Sequence, residues 1–93
     1  MIHELKILPK YFDDIRYGKK RFELRRNDRD FKVGDYLALN EFDTSYTGRT
    51  ELVKVVYILN TRDVMETRDE FVVMSIVRLA NSEHYDREED KHG

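Results

Sequence analysis

The alternation of apolar and polar residues predicts a short strand followed by a helix at the start of the chain. Residues 3–8 alternate as expected for a strand with one buried face. Apolar side chains then recur at the spacing of one helical face, at Leu8, Tyr11, Phe12 and Ile15. Pro9 stands where a first helical turn tolerates proline, and Gly18 suits a left-handed helix cap. The spacing therefore predicts a helix over residues 9–17 that packs this apolar stripe into the core.

A second strand is predicted over residues 20–26, and its two faces differ in chemistry. Phe22 and Leu24 lie on one face. Glu23 and Arg25 lie on the other, together with Arg21. An apolar strand face normally packs on the core. We therefore expect the apolar pair to be buried and the charged face to point into solvent or into a cleft.

The remaining pattern predicts three more strands, over residues 36–42, 51–59 and 71–79. The last two are apolar on both faces, which is typical of strands buried on both sides, so we expect Tyr57 in the core. Polar residues form a predicted loop over residues 43–49 and a connection over residues 60–70. One helix among five strands predicts an α+β fold, with the helix against a curved, mostly antiparallel sheet.

Length and composition limit the chain to one domain with a modest core, since 39% of its 93 residues are charged. It has no cysteine, which excludes disulfides and thiolate metal sites. We expect a cytoplasmic protein without a cofactor, a bound metal or a membrane partner. Residues 1–80 are predicted to form the domain. Residues 81–93, with five acidic and two basic residues, are predicted to form an acidic, disordered tail.

Charge adds a candidate binding surface to this picture. Residues 16–32 carry eight basic and three acidic residues, a local charge of +5 in a chain whose net charge is −2. A single basic region on an otherwise acidic protein is typical of a surface that binds a phosphate-rich partner.

The same region contains the pattern Gly-x-Lys-x-x-Glu-x-Arg, formed by Gly18, Lys20, Glu23 and Arg25. This pattern resembles the signature of the ASCH family (activating signal cointegrator homology). The resemblance extends over residues 3–80 and includes residues 4–9, 27–35 and 46–49. It implies a small PUA-like β-barrel of about five mostly antiparallel strands, with one helix between strands 1 and 2. It also implies an association with RNA, and the segments are similar to a small subfamily of bacterial and phage proteins without an assigned function.

The resemblance implies a cleft lined by Lys20, Glu23 and Arg25. An ammonium binds a phosphate, and a guanidinium binds a phosphate or a base edge in a forked geometry. Glu23 can orient Arg25 or accept a proton from an exocyclic amine of a base. From charge alone, the alternative is a solvated ladder of ion pairs worth under about 1 kcal/mol per pair.

Other side chains complete the predicted site. Arg29 extends its basic rim, and Lys19 and Arg21 belong to the same basic cluster. Tyr17 and Tyr46 lie in polar surroundings, which makes them candidates for stacking on bases.

The sequence supports three functions, of which we favour an RNA- or nucleotide-binding module. The second is a small metal-independent hydrolase of a modified nucleoside or of RNA. Some ASCH relatives hydrolyse acetylated cytidine, but they carry threonine at the position of Glu23, so we expect little such activity here. The third is an interaction module whose basic face docks an acidic protein.

Overall fold

Five strands form one mixed sheet that curls strongly around a single helix. The computed structural model describes residues 1–79. The elements are β1 (Ile2–Ile7), α1 (Pro9–Arg16), β2 (Phe22–Arg26), β3 (Tyr36–Asp43), β4 (Ser45–Asn60), a 3-10 turn (Thr61–Asp63) and β5 (Phe71–Arg78). The strand order is β1-β3-β4-β5-β2. Only the β1–β3 pair is parallel among the paired strands of residues 1–79. The predicted α+β class, with its helix between strands 1 and 2, is confirmed.

The helix forms as predicted but buries only half of its apolar stripe. Pro9 occupies the first turn, and Gly18 follows the helix with a left-handed φ of 79°. Phe12 and Ile15 are fully buried within the concave side of the sheet, where they join the core. Leu8 and Tyr11 are exposed, so the prediction that the whole stripe faces the core is wrong. The first turn of the helix borders an open groove instead, which Leu8 and Tyr11 line.

The predicted faces of β2 are inverted. Phe22 and Leu24 are 47% and 56% exposed, whereas Glu23 is 3% exposed. β2 is an edge strand, hydrogen-bonded only to β5 within the described chain, and no described element covers its outer face. Glu23 turns inward because two cations meet its carboxylate there. Hydrogen-bonded ion pairing makes such burial tolerable.

Two further expectations about β4 are corrected. The strand starts at Ser45, so residues 43–49 form a hairpin rather than a loop, and the chain reverses at Thr44 with a φ of 61°. β4 and β5 are buried on one face only. A register shift between Val55 and Tyr57 leaves Tyr57 on the outer face, 62% exposed.

An acid–imidazole pair fixes the start of the sheet. His3 is buried on β1, and its Nε2 lies 2.8 Å from Asp35 Oδ2. The backbone N–H of Lys32 donates to the same oxygen over 3.0 Å. The hydrogen bond from His3, more than that from Lys32, holds the pKa of the Asp35 carboxyl below its usual value. The pair joins β1 to the turn before β3.

The acidic segment 81–93, predicted to be disordered, lies outside the described residues. Within residues 1–79, the single α-helix is too short and too polar to cross a bilayer.

Candidate functional site

A cleft of about 410 Å³ opens between the end of β1, the first turn of α1 and the edge strand β2. It is lined by Lys6, Ile7, Leu8, Tyr11, Lys20, Phe22, Glu23, Leu24 and Arg25. Because β1 and β2 are the two edges of the curled sheet, the cleft lies at the seam where the half-barrel stays open. Lys20, Glu23 and Arg25, which the sequence predicts as one set, therefore lie side by side on the floor of the cleft.

The Glu23 carboxylate is held between two cations. Lys20 Nζ donates to Glu23 Oε1 over 2.7 Å, and Arg25 Nε donates to Oε2 over 2.8 Å. Lys20 also donates to the carbonyl of Phe22 over 2.8 Å. The exposed fraction of the side chain is 4% for Glu23, 17% for Lys20 and 25% for Arg25. Each is thus fixed by charge-assisted hydrogen bonds in a partly dry site.

Two arginines, one on β2 and one in the turn after it, bridge the two edge strands beside the open cleft. Arg25 Nη2 donates to the carbonyl of Lys6 over 2.7 Å, and Arg29 Nη1 donates to the carbonyl of Glu4 over 2.8 Å. Both carbonyls belong to β1, the opposite edge strand. Arg25 and Arg29 therefore both have a structural role, but of the two only Arg25 lines the cleft.

The aromatic rings at the cleft differ from those that the sequence favours. Lys20 Nζ lies 4.6 Å from the ring centre of Phe22 and 5.5 Å from that of Tyr11. Tyr17 is exposed and Tyr46 packs edge-on against Phe42 at 5.0 Å, and neither lines the cleft. The apolar periodic patterns of α1 and β2 predict Phe22 and Tyr11 in the core, and that prediction is wrong. Phe22 is exposed because no described element covers the edge strand β2, and Tyr11 is exposed because the first turn of α1 borders the cleft.

The basic cluster of residues 16–32 is partly neutralised by ion pairs. Five of its cations pair with acids: Arg16, Lys20, Arg25, Arg26 and Lys32. The other three, Lys19, Arg21 and Arg29, form no ion pair with an acid of residues 1–79 and are exposed. These three are the cations of the cluster best able to contact phosphates.

A second buried glutamate, Glu51, is not among the site residues that the sequence predicts. Glu51 on β4 is fully buried and accepts hydrogen bonds from Arg16 Nε over 2.7 Å and from Arg78 Nε over 2.9 Å. The strand pattern alone is enough to predict that its side chain points inward. Every second residue of a strand lies on the same face, so Glu51 shares the face of Val53 and Val55. Because the two valines are buried, Glu51 is buried as well.

The connection before β5 is tied to the far end of β2. Asp69 pairs with Arg26 at 3.1 Å, and Asn27 Nδ2 donates to Glu70 over 2.8 Å. Hydrogen bonds, first from Asn27 and then from Asn60, hold the pKa of Glu70 below its usual value. These acids thus have partners away from Lys20. Among residues 1–79, no three His, Asp or Glu side chains gather in a metal-binding arrangement.

Known proteins resemble this chain in sequence and in fold. The chain is 39% identical over 66 residues to an uncharacterised 12.9 kDa protein of Escherichia phage P2. That match covers 70% of this chain and 61% of the relative, so the chain spans about three fifths of the phage protein.

The fold matches the crystal structure of the hypothetical protein PH0355, which has an ASCH/PUA-like fold, with a TM-score of 0.63. The match covers 85% of this chain and 100% of that one at 18% identity. A family model described as a domain of unknown function, DUF3850, matches residues 2–76. The chain therefore belongs to the DUF3850 family.

Proposed function

We propose that this protein is an ASCH-type module that binds RNA or a nucleotide-like ligand in the cleft around Lys20, Glu23 and Arg25. One observation carries the proposal: two exposed rings, Tyr11 and Phe22, flank a fixed set of hydrogen-bonding groups in one cleft. Ring faces that stack on a base, beside polar groups that meet its edge, form the usual means of binding an unpaired nucleotide.

Ion pairing makes a phosphate-only site a poor alternative for this cleft. Glu23 offsets one of the charges of Lys20 and Arg25, so the three groups together carry +1. A site for a bare phosphate gains from uncompensated cations and from backbone N–H donors. Apolar walls and a nearly compensated polar floor suit a neutral, planar ring better.

The phosphates of a bound strand would then meet cations outside the cleft floor. Lys19, Arg21 and Arg29 are exposed, and Lys6 lines the cleft rim. Three or four such contacts predict a slope of roughly −2 to −3 when log K for a single strand is plotted against log salt.

Fluorescence anisotropy with a labelled single-stranded RNA at several salt concentrations tests the proposal. Lys20→Ala is compared with Lys54→Ala, which removes the same charge from a half-buried position on β4 that does not line the cleft. We expect Lys20→Ala to weaken binding about tenfold and Lys54→Ala to change it less than about twofold. Equal losses in the two variants, or no binding at low salt, would refute the proposal.

A further inference from the structure

We infer that the cleft selects a base with an imide edge, which means uracil or thymine. The inference rests on the proposed function and names the ligand of the same site. It follows from the order of hydrogen-bond donors and acceptors along the cleft floor.

Glu23 lies in the middle of that order. Lys20 approaches one carboxylate oxygen and Arg25 approaches the other, so the acceptor has a donor on each side. The floor of the cleft therefore presents a donor, an acceptor and a second donor, in that order. Hydrogen bonds to Phe22 O and Lys6 O hold the two cations, so the order is fixed before a ligand arrives.

Each of the three groups keeps capacity for a ligand. An ammonium has three N–H groups, and Lys20 directs two of them to Glu23 and Phe22. Arg25 uses Nε and Nη2, and its Nη1 has no partner within residues 1–79. A carboxylate has about four lone-pair sites, and Oε1 of Glu23 accepts from Lys20 alone in the described chain.

The complement of donor, acceptor, donor is acceptor, donor, acceptor. Uracil and thymine present this order along their Watson–Crick edge, as O2, N3–H and O4. Cytosine places the N3 lone pair opposite the Glu23 carboxylate, and adenine does the same with N1. Guanine offers one acceptor followed by two donors, which sets a donor against a cation. Unpaired or opposed polar groups in a half-dry site penalise these bases strongly.

The walls of the cleft do not discriminate among bases. Tyr11 and Phe22 offer ring faces, and Leu24 adds an exposed apolar surface. Stacking on aromatic rings accepts every base because every base has a π-face. Selectivity is therefore expected from the edge contacts alone, and affinity from both.

Binding of labelled octamers of rU, dT, rC and rA, measured by anisotropy at one low salt concentration, tests the inference. We expect rU to bind about tenfold or more tightly than rC and rA. The dT octamer separates the two sources of the imide edge: equal affinity indicates that the base alone is read, and weaker dT binding indicates RNA. Equal affinity for all four would refute the inference and leave the proposed function standing. No binding to any of them would refute the proposed function itself.

A modified ligand tests the edge contact without altering the protein. N3-methyluridine lacks the N3–H that meets Glu23, so an octamer containing it should bind about tenfold more weakly than rU. Unchanged affinity would overturn the inference.

Two variants separate the edge from the walls. Glu23→Gln places an amide donor where cytosine has its N3 lone pair, so the preference for rU over rC should vanish or reverse. Phe22→Ala should weaken all octamers by a similar factor and keep their order. A Glu23→Gln protein that is folded by its thermal melt and keeps the full preference for rU would contradict the assignment.

Discussion

Two buried glutamates, Glu23 and Glu51, use the same chemistry in two different regions. Each carboxylate lies between two cations: Lys20 and Arg25 for Glu23, Arg16 and Arg78 for Glu51. Both carboxylates are almost fully withdrawn from solvent. Burial and pairing alone would therefore rank them as equivalent sites.

Their partners separate them. Arg16 and Arg78 come from α1 and β5, 35 and 27 residues away from Glu51 in sequence, so that cluster joins three elements of the fold. The guanidinium of Arg16 also lies 4.8 Å from the ring centre of buried Phe12. Glu23 instead meets cations two and three residues away, Arg25 on the edge strand β2 and Lys20 just before it, beside an open cleft. Long-range pairing supports the fold, whereas a local, pre-arranged set on an edge is available to a ligand.

The largest expected effect is on stability, in Glu51→Gln. This change leaves Arg16 and Arg78 without their carboxylate in a buried site, which should cost about 3–5 kcal/mol of unfolding free energy. For a domain of this size each kcal/mol lowers the melting temperature by roughly 4–8 °C. Denaturant titration followed by circular dichroism gives the value. A loss below about 1 kcal/mol would mean that the cluster does not hold the three elements together.

Glu23→Gln is the matched change in the other cluster, and we expect a smaller loss of about 2–3 kcal/mol. Lys20 and Arg25 border the cleft, so water can solvate them once the carboxylate is gone. The same denaturant titration compares the two glutamine variants directly. If Glu23→Gln destabilises the protein as much as Glu51→Gln does, the distinction between the clusters fails.

A third buried acid, Asp35, is expected to stabilise the protein in a pH-dependent way, which can be compared with the effects of Glu23 and Glu51. Its pKa is lowered in the folded protein, so its stabilisation is fully present above the usual value of 3.8 and is lost as the pH falls through the lowered folded-state pKa. Asp35→Asn should cost about 1–2 kcal/mol at neutral pH. The difference in unfolding free energy between this variant and the parent protein should shrink below about pH 4. A difference that stays constant on acidification would exclude the His3–Asp35 bond as its source.

The smallest expected effect is the stability change in Phe22→Ala. Phe22 is half exposed on an edge strand, so its truncation should cost less than about 1 kcal/mol. Phe12→Ala is the control, because truncating a fully buried phenylalanine costs about 3–5 kcal/mol. Thermal melts of both variants decide the matter. A loss of stability in Phe22→Ala as large as that in Phe12→Ala would mean that Phe22 is buried, as the strand pattern predicts.

The helix and the order of the elements along the chain can be predicted from sequence because local signals fix them, whereas the order of the strands in the sheet is not among those predictions. Pro9 and Gly18 mark the ends of the helix, and periodicity marks the strands. The faces of β2 are not readable, since alternation has the same period whichever face turns inward. Here the buried side chain is charged, and only the combined positions of Lys20 and Arg25 make that possible.

The candidate site likewise has a part that can be predicted from sequence and a part that cannot. Lys20, Glu23 and Arg25 are close in sequence on one strand and its approach, so their adjacency is predictable. The contribution of Tyr11 is not, because it depends on how the first turn of α1 meets the edge of the sheet. The β1 carbonyls that hold Arg25 and Arg29 are likewise set by the curl of the sheet, which no local pattern encodes.

An NMR titration tests the central claim, that the ligand binds at the Glu23 cluster and not at the Glu51 cluster. Amide shifts of the 15N-labelled protein would be followed while a short single-stranded RNA is added at low salt. We predict the largest changes in residues 6–11 and 20–25, with small changes at Glu51 and Arg78. Changes centred on Glu51 and Arg78, or spread evenly over the molecule, would contradict the account.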